Sequence, residues 1–153
     1  FRIMGSFDAA MTAIHVLNGP NLNLLGKREP AIYGSASLDD IRDLLQARCA
    51  ARGVTLVFRQ SNHEGDLVSW IQEAGQAKAP VILNAGALTH TSIALYDAIK
   101  GSEASVIEVH LSNVHARESF RHHSYISPAA RGVIAGFGPT SYLLALDAIF
   151  EKL

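Results

Sequence analysis

Glu108 and His110 stand two residues apart in a short apolar run, V-I-E-V-H from Val106 to His110, and no other spacing in the chain is as loaded with chemistry. In a strand, residues i and i+2 project from the same face, so the carboxylate and the imidazole are brought together. A strand covered on both sides should not carry a carboxylate without a partner. A carboxylate beside an imidazole fixes its tautomer and supports its protonated form, which is what a general acid requires. The structural alternative is a buried pair that satisfies itself and performs no chemistry. Directly after His110, Leu111-Ser112-Asn113 leads into a short helical segment, so backbone N–H groups there should point outward as a cradle for a carboxylate or phosphate.

A second stretch rich in reactive types is N-G-P-N-L-N-L-L-G-K-R-E-P-A-I-Y-G, from Asn18 to Gly34, directly after the apolar run Ala13 to Leu17. Strand-to-helix connections usually take about 2 to 6 residues, so a loop this long is a lid candidate. Gly19, Pro20, Gly26, Pro30 and Gly34 punctuate it, while Asn21, Asn23, Lys27, Arg28, Glu29 and Tyr33 supply polar groups that a connector does not need. Tyr33 could act as a base only if ionised. Bringing a phenol from about 10 to neutrality takes about 4 kcal/mol of differential stabilisation. One arginine in contact shifts a neighbour by about 1 to 3 units, so Arg28 needs help, from Arg117 or Arg121. Outside such a setting Tyr33 is an ordinary half-buried loop aromatic.

These groups need a scaffold, and the chain spells one out. Strands are expected at Ala13–Leu17, Val54–Arg59, Val81–Leu83, Val106–Val109 and Gly132–Phe137, with helices from Ser37 to Gly53, from Asn62–Glu64 to before Pro80, from Ser92 to Lys100 with Gly101 as the stop, and from Pro139 to Leu153. Asn113–Phe120 is at most a short helix, and Ser127-Pro128 starts a further helical turn. Strands alternating with helices imply an α/β, flavodoxin-like, doubly wound five-stranded parallel sheet with right-handed crossovers. Ligands bind such sheets at the carboxyl ends of the strands, where the first, third and fourth runs end in Asn18, Asn84 and His110. Asn18 before Gly19 also reads as a turn residue bonded to its own backbone. Residues 1–12 read as an N-terminal extension or cloning remnant, with Met11 a native start, and residues 13–153 as a single catalytic domain.

At 153 residues, 48% hydrophobic and 18% charged, the chain reads as one globular domain. A net charge of −1 with no basic run argues against nucleic acid or an anionic membrane as partner. No apolar run approaches the roughly 18 residues of a membrane span, and Phe1–Met11 lacks a secretory apolar core, so a cytoplasmic location is expected. Cys49 is the single cysteine; in helical register with Ile41 and Leu45, it reads as a buried structural thiol rather than a nucleophile.

Competing chemistries lack their residues. A receiver-type or metal-dependent phosphatase wants acidic groups where this chain has Asn18 and Asn84. The G-x-G-x-x-G of a dinucleotide site is absent. Seven histidines raise zinc, but there is no H-E-x-x-H or Cys-His set, so neither metal nor cofactor is expected. His122-His123 reads as a surface or subunit-contact patch.

Five blocks together closely resemble type II dehydroquinate dehydratase: N-G-P-N-L-N-L-L-G-x-R-E-P-x-x-Y-G, Q-S-N-H-E-G-x-L-V-x-W-I, P-V-I-L-N-A-G-x-L-T-H-T-S, I-E-V-H-L-S-N-V-H-A-R-E-x-F-R-H-H-S-Y-I-S-P and G-V-I-A-G-F-G. The likeness runs from about Ile14 to the last helix. It departs at Gly138-Pro139-Thr140-Ser141-Tyr142, where the family often has a second glycine before the tyrosine. The resemblance implies dehydration of 3-dehydroquinate to 3-dehydroshikimate, in shikimate biosynthesis or quinate breakdown, by a homo-oligomer that is usually a dodecamer of trimers. It implies Tyr33 as the base at C2, Arg28 as the cation beside it, His110 as the acid at the C1 hydroxyl with Glu108 behind it, and Asn21 as a holder of a water against the enolate oxygen. Asn84 with the Leu111 and Ser112 backbone is similar to the carboxylate and C1 contacts, and His90 and Arg121 to the ring-hydroxyl contacts. Asp97 is similar to a residue that reaches the neighbouring subunit's site. A Schiff-base route needs a desolvated lysine, and of Lys27, Lys78, Lys100 and Lys152 only Lys27 lies near this site. The reading from another class is a catalytically silent module that binds small cyclic hydroxy acids.

Overall fold

The computed structural model describes residues 12–27 and 35–152. Arg28, Tyr33 and the N-terminal segment 1–11 therefore lie outside the described residues. Five parallel strands form one sheet in the order β2-β1-β3-β4-β5: β1 (Ala13–Asn18), β2 (Thr55–Gln60), β3 (Val81–Asn84), β4 (Val106–His110) and β5 (Gly132–Ala135). That order is the flavodoxin-like winding, with a switch point beside β1 and β3.

Alternation along the strands feeds two cores, one on each side of the sheet. Ile14, Val16, Ile82, Ile107 and Val109 pack against Ile41, Leu45 and Cys49 of α1 (Leu38–Ala51) and against Tyr142, Ala145, Leu146 and Ile149 of α4 (Pro139–Phe150). On the other side, Leu17, Val81, Leu83 and Val106 meet Leu67, Ile71 and Ala74 of α2 (Glu64–Gln76) and Leu95, Ala98 and Ile99 of α3 (Ile93–Ser102). Cys49 is fully buried, and burial pushes its thiol pKa up, as expected of a structural thiol. Ser37 starts α1 with a complete capping box: its hydroxyl accepts from the Asp40 N–H while the Asp40 carboxylate accepts from the Ser37 N–H.

Several boundaries differ from the expectation. Helix α3 runs through Gly101 to Ser102, and Glu103, in the left-handed region at φ 57°, closes it in the role assigned to glycine. Strand β5 ends at Ala135, two residues early, because Gly136 at φ 100° turns the chain away. Helix α4 ends at Phe150. The loop after β3 is a 3₁₀ turn over Gly86–His90, and the segment after β4 folds as two 3₁₀ turns, Val114–Ala116 and Ser119–Arg121. The turn begun by Ser127-Pro128 is a third, Ser127–Ala129.

Candidate active site

A cavity of about 200 Å³ opens at the carboxyl edge of the sheet, above β1, β3 and β4. Asn21, Asn84, His90, His110, Leu111, Ser112 and Arg121 all line it, so seven of the expected site residues converge there from five separate segments. Pro20, Arg117 and Glu118 share the wall. Glu108 sits one layer back, and Asp97 is exposed on α3 away from this cavity. The volume suits a small molecule rather than a polymer.

His110 and Glu108 are both buried, with His110 Nε2 at 2.5 Å from Glu108 Oε2. Two serines complete the carboxylate: the Ser124 hydroxyl donates to Oε2 at 3.0 Å and the Ser127 hydroxyl to Oε1 at 2.6 Å. Burial works against ionisation of Glu108, but the bonds from His110, Ser127 and Ser124 and the charge of His110 outweigh it, and the pKa is held below the usual glutamate value. An ionised carboxylate can only accept, so Nε2 of His110 carries a proton. The other ring nitrogen, Nδ1, is the one not engaged by the carboxylate.

His90 stacks beside His110, ring centroids 6.4 Å apart and planes 17° from parallel. Its Nδ1 donates to the His123 carbonyl at 2.8 Å. Burial lowers the His90 pKa, with the charges of His110 and Arg121 adding to it against the opposing pull of the His123 carbonyl and Glu108. A neutral ring with Nδ1 donating leaves Nε2 as an acceptor, the complement of a ligand hydroxyl.

On the opposite wall, Asn84 reaches the edge from the α4 side of the sheet, whereas His110 reaches it from the α2–α3 side. The Asn84 amide is fixed at both ends: Oδ1 accepts from the Gly86 N–H at 3.2 Å and Nδ2 donates to the Tyr142 hydroxyl at 2.9 Å. Tyr142 in turn donates to Asn18 Oδ1 at 2.6 Å, and Asn18 Nδ2 donates to the Arg59 carbonyl at 3.0 Å. Asn18 thus differs from the expectation of a third polar group converging on the ligand: it is fully buried, absent from the cavity wall, and spent on structure.

Asn21 adopts the left-handed region at φ 69°, which asparagine tolerates. Its N–H donates to Asn62 Oδ1 at 2.9 Å, and Gln60 Nε2 donates both to that oxygen and to the Gly19 carbonyl, each at 3.1 Å. This clamp, the two serines on Glu108 and the Tyr142 link were all missed from sequence. Gln60 ends β2, so the strand-end rule that singled out Asn84 and His110 would have found it; the serines and Tyr142 carry no local signal. Glu118 also went unremarked, although it pairs Arg121 at 2.7 Å within the wall. His122 and His123 are both exposed, as a surface patch requires; the His123 carbonyl also holds His90, and His122 Nε2 meets the Arg117 carbonyl at 3.0 Å.

The geometry offers a proton donor on one wall, amide and cationic groups around it, and an acceptor beside it, the elements of a dehydration site for a small anionic hydroxy compound. The sequence profile of the family described as Dehydroquinase class II matches residues 12–150. A 3-dehydroquinate dehydratase of Azorhizobium caulinodans is 65% identical over 136 residues, covering 89% of this chain and 92% of that protein. One from Acidovorax sp. is 60% identical over 143 residues, covering 90% and 97%. Among solved structures, the type II dehydroquinase of Butyrivibrio crossotus superposes with a TM-score of 0.86 at 40% identity, covering 90% of this chain and 97% of that one. From the matched profile, the curated relatives and the shared fold together, the chain belongs to the class II dehydroquinase family, the type II 3-dehydroquinate dehydratases.

Proposed function

We propose that the dehydration runs as an anti elimination through an enolate, with Tyr33 as base and His110 as acid. The tyrosinate takes a proton from C2 beside the ketone of 3-dehydroquinate, and the electron pair moves onto the carbonyl oxygen. The enolate then collapses to the C1–C2 double bond, and the C1 hydroxyl leaves with the proton that His110 held on Nδ1, as water. Tyr33 ends protonated and His110 neutral, and exchange with solvent restores both. The observation that carries this reading is the buried His110–Glu108 pair at the cavity wall, with the carboxylate acceptor-only and one ring nitrogen left for the leaving group.

In this scheme Arg28 keeps Tyr33 ionised, and Asn21 holds a water against the enolate oxygen. Asn84 and the Leu111–Ser112 backbone take the carboxylate and C1 substituents, and His90 and Arg121 the ring hydroxyls. Asp97 serves the neighbouring subunit's site in a trimer, four of which build a dodecamer. The domain spans residues 13–153, and the enzyme works in the cytoplasm in shikimate biosynthesis or quinate breakdown. No helix among the described residues is long and apolar enough to cross a membrane.

The test is a reaction of the purified protein with 3-dehydroquinate labelled with deuterium at one or the other C2 position. Absorbance of the conjugated enone reports turnover, and loss of the label anti to the C1 hydroxyl reports the stereochemistry. Binding of the substrate without that chromophore would make the protein a silent module, and loss of the syn hydrogen would exclude the two-walled arrangement.

A further inference from the structure

The five residues from His123 to Ser127 bond to both imidazoles of the cavity wall, one directly and one through Glu108. The His123 carbonyl holds His90 Nδ1, the Tyr125 N–H donates to the Thr89 carbonyl at 2.9 Å, and Ser124 and Ser127 hold the two oxygens of Glu108. We propose that this turn is a positioning bracket for the reaction, and that Ser127 and Ser124 act on catalysis by keeping Glu108 an acceptor-only carboxylate beneath His110.

Ser124 is engaged at every position it has. Its hydroxyl donates to Glu108 Oε2 and accepts from the Ile126 and Ser127 N–H groups, both at 3.0 Å, so the same atom that shapes the turn holds the carboxylate. Ser127 begins the 3₁₀ turn Ser127–Ala129, and its hydroxyl is the only donor to Oε1 among the described residues. With both serines in place, one carboxylate oxygen bonds Ser127 and the other is shared by Ser124 and His110. Remove a hydroxyl, and the buried carboxyl regains part of its tendency to stay protonated. A protonated Glu108 is neutral and no longer supports the protonated form of His110, which weakens the ring's service as an acid.

Glu108 faces His110 on the same strand; the further ionisable groups nearby are His90 from the 86–90 turn, on which both Glu108 and His110 act, and Arg121, which acts on His90. The positioning role rests on the reading of His110 as the acid. Its physical content is separate, because the two serines touch Glu108 and do not line the cavity.

Kinetics of Ser127→Ala and Ser127→Thr, alone and combined with His110→Ala, test it. Ser127→Ala should lower kcat about 10-fold, the scale of one hydrogen bond to a charged group, with KM within about two-fold of the parent. The acid limb of its kcat–pH profile should move to higher pH, and Ser127→Thr, which keeps the hydroxyl, should restore both limb and rate. In the His110→Ala background Ser127→Ala should cost nothing further. An unmoved acid limb with parental kcat, or a full additional loss in that background, overturns the bracket while leaving His110 as the acid. Near-normal turnover of His110→Ala alone removes the acid and with it the bracket's route to catalysis.

Discussion

The hydroxyl of Tyr142 donates to Asn18 Oδ1 at 2.6 Å, joining the last helix to the first strand across 124 positions of sequence. The Tyr142 hydroxyl also accepts from Asn84 Nδ2, so one buried phenol orients two asparagines at neighbouring strand ends. Only Asn84 faces the cavity; the other two members of the chain are scaffolding. Burial pushes the Tyr142 phenol far above its ordinary pKa, with the bond from Asn84 only partly opposing it, so it remains a neutral donor throughout the working range.

Tyr142→Phe keeps the ring and deletes the link. It leaves the Asn18 carbonyl oxygen and one Asn84 N–H buried and unpaired, a cost of about 2 to 3 kcal/mol. Chemical denaturation should read that loss, and KM should rise as Asn84 loses its fixed orientation. Parental stability in the variant would contradict the assignment of the bond.

Gly19 is the point at which the two loops of the edge touch. A Cβ there would lie 2.2 Å from the Ala85 carbonyl oxygen and 2.6 Å from its carbon, so backbone must give way, starting with the 2.8 Å bond from Gly19 N–H to the Asn84 carbonyl. Gly19→Ala should therefore lower both melting temperature and substrate affinity. Gly65→Ala is the control: nothing lies within 4 Å of its added Cβ, and in α2 alanine is favoured by about 1 kcal/mol. Equal melting temperatures for the two variants would refute the close approach.

His15 carries a pH dependence. It is buried in β1 with no hydrogen-bond partner for Nδ1, and burial lowers its pKa, Arg59 adding to the effect and Glu73 opposing it. The unfolded chain takes up this proton near pH 6.5, the folded protein only at lower pH. The stability is thus complete above 6.5 and is lost as pH falls from there toward the folded value. Glu108 acts in the same direction further down, its contribution present above 4.5 and lost below as the lowered folded pKa is passed. His15→Leu should narrow the melting-temperature gap between neutral and mildly acidic buffer, and an unchanged gap would exonerate His15.

For the proposed mechanism, Tyr33→Phe and His110→Ala should each lower kcat by orders of magnitude with modest loss of ligand affinity. Steady-state rates paired with calorimetric binding separate the two effects. Near-normal turnover in either variant would strip that residue of its role.

Asp97 lies exposed on α3, outside the cavity. If sites are shared between subunits, Asp97→Ala should weaken substrate binding while leaving the fold intact. Sedimentation alongside the binding measurement distinguishes a shared site from a lost assembly, and an unaffected affinity would argue against sharing.

Local chemistry made much of this protein legible in one dimension. The Ser37 cap, the i, i+4 run Ile41-Leu45-Cys49 and the i, i+2 pair Glu108-His110 depend on neighbours in sequence, and all three stand as read. The polar residues ending apolar runs marked the edge where the cavity opens, and Asn84 and His110 line it. Where a segment's conformation depended on what it packs against, the reading slipped: Gly101 was passed over because Glu103 took the left-handed position, and β5 stopped where Gly136 turned.

What the sequence determined by itself was the alternation of strands and helices, the strand-end polar groups and the family they point to, because these rest on periodicities of two and 3.6 and on contiguous motifs. Only the tertiary structure decided that Asn18 belongs to the scaffold, that Gln60 and Asn62 clamp Asn21, and that Ser124, Ser127 and Tyr142 finish the hydrogen bonding of Glu108 and Asn84. Those bonds span separations from 16 to 124 positions, and a hydroxyl or amide has no preferred partner until folding excludes water and leaves one within reach.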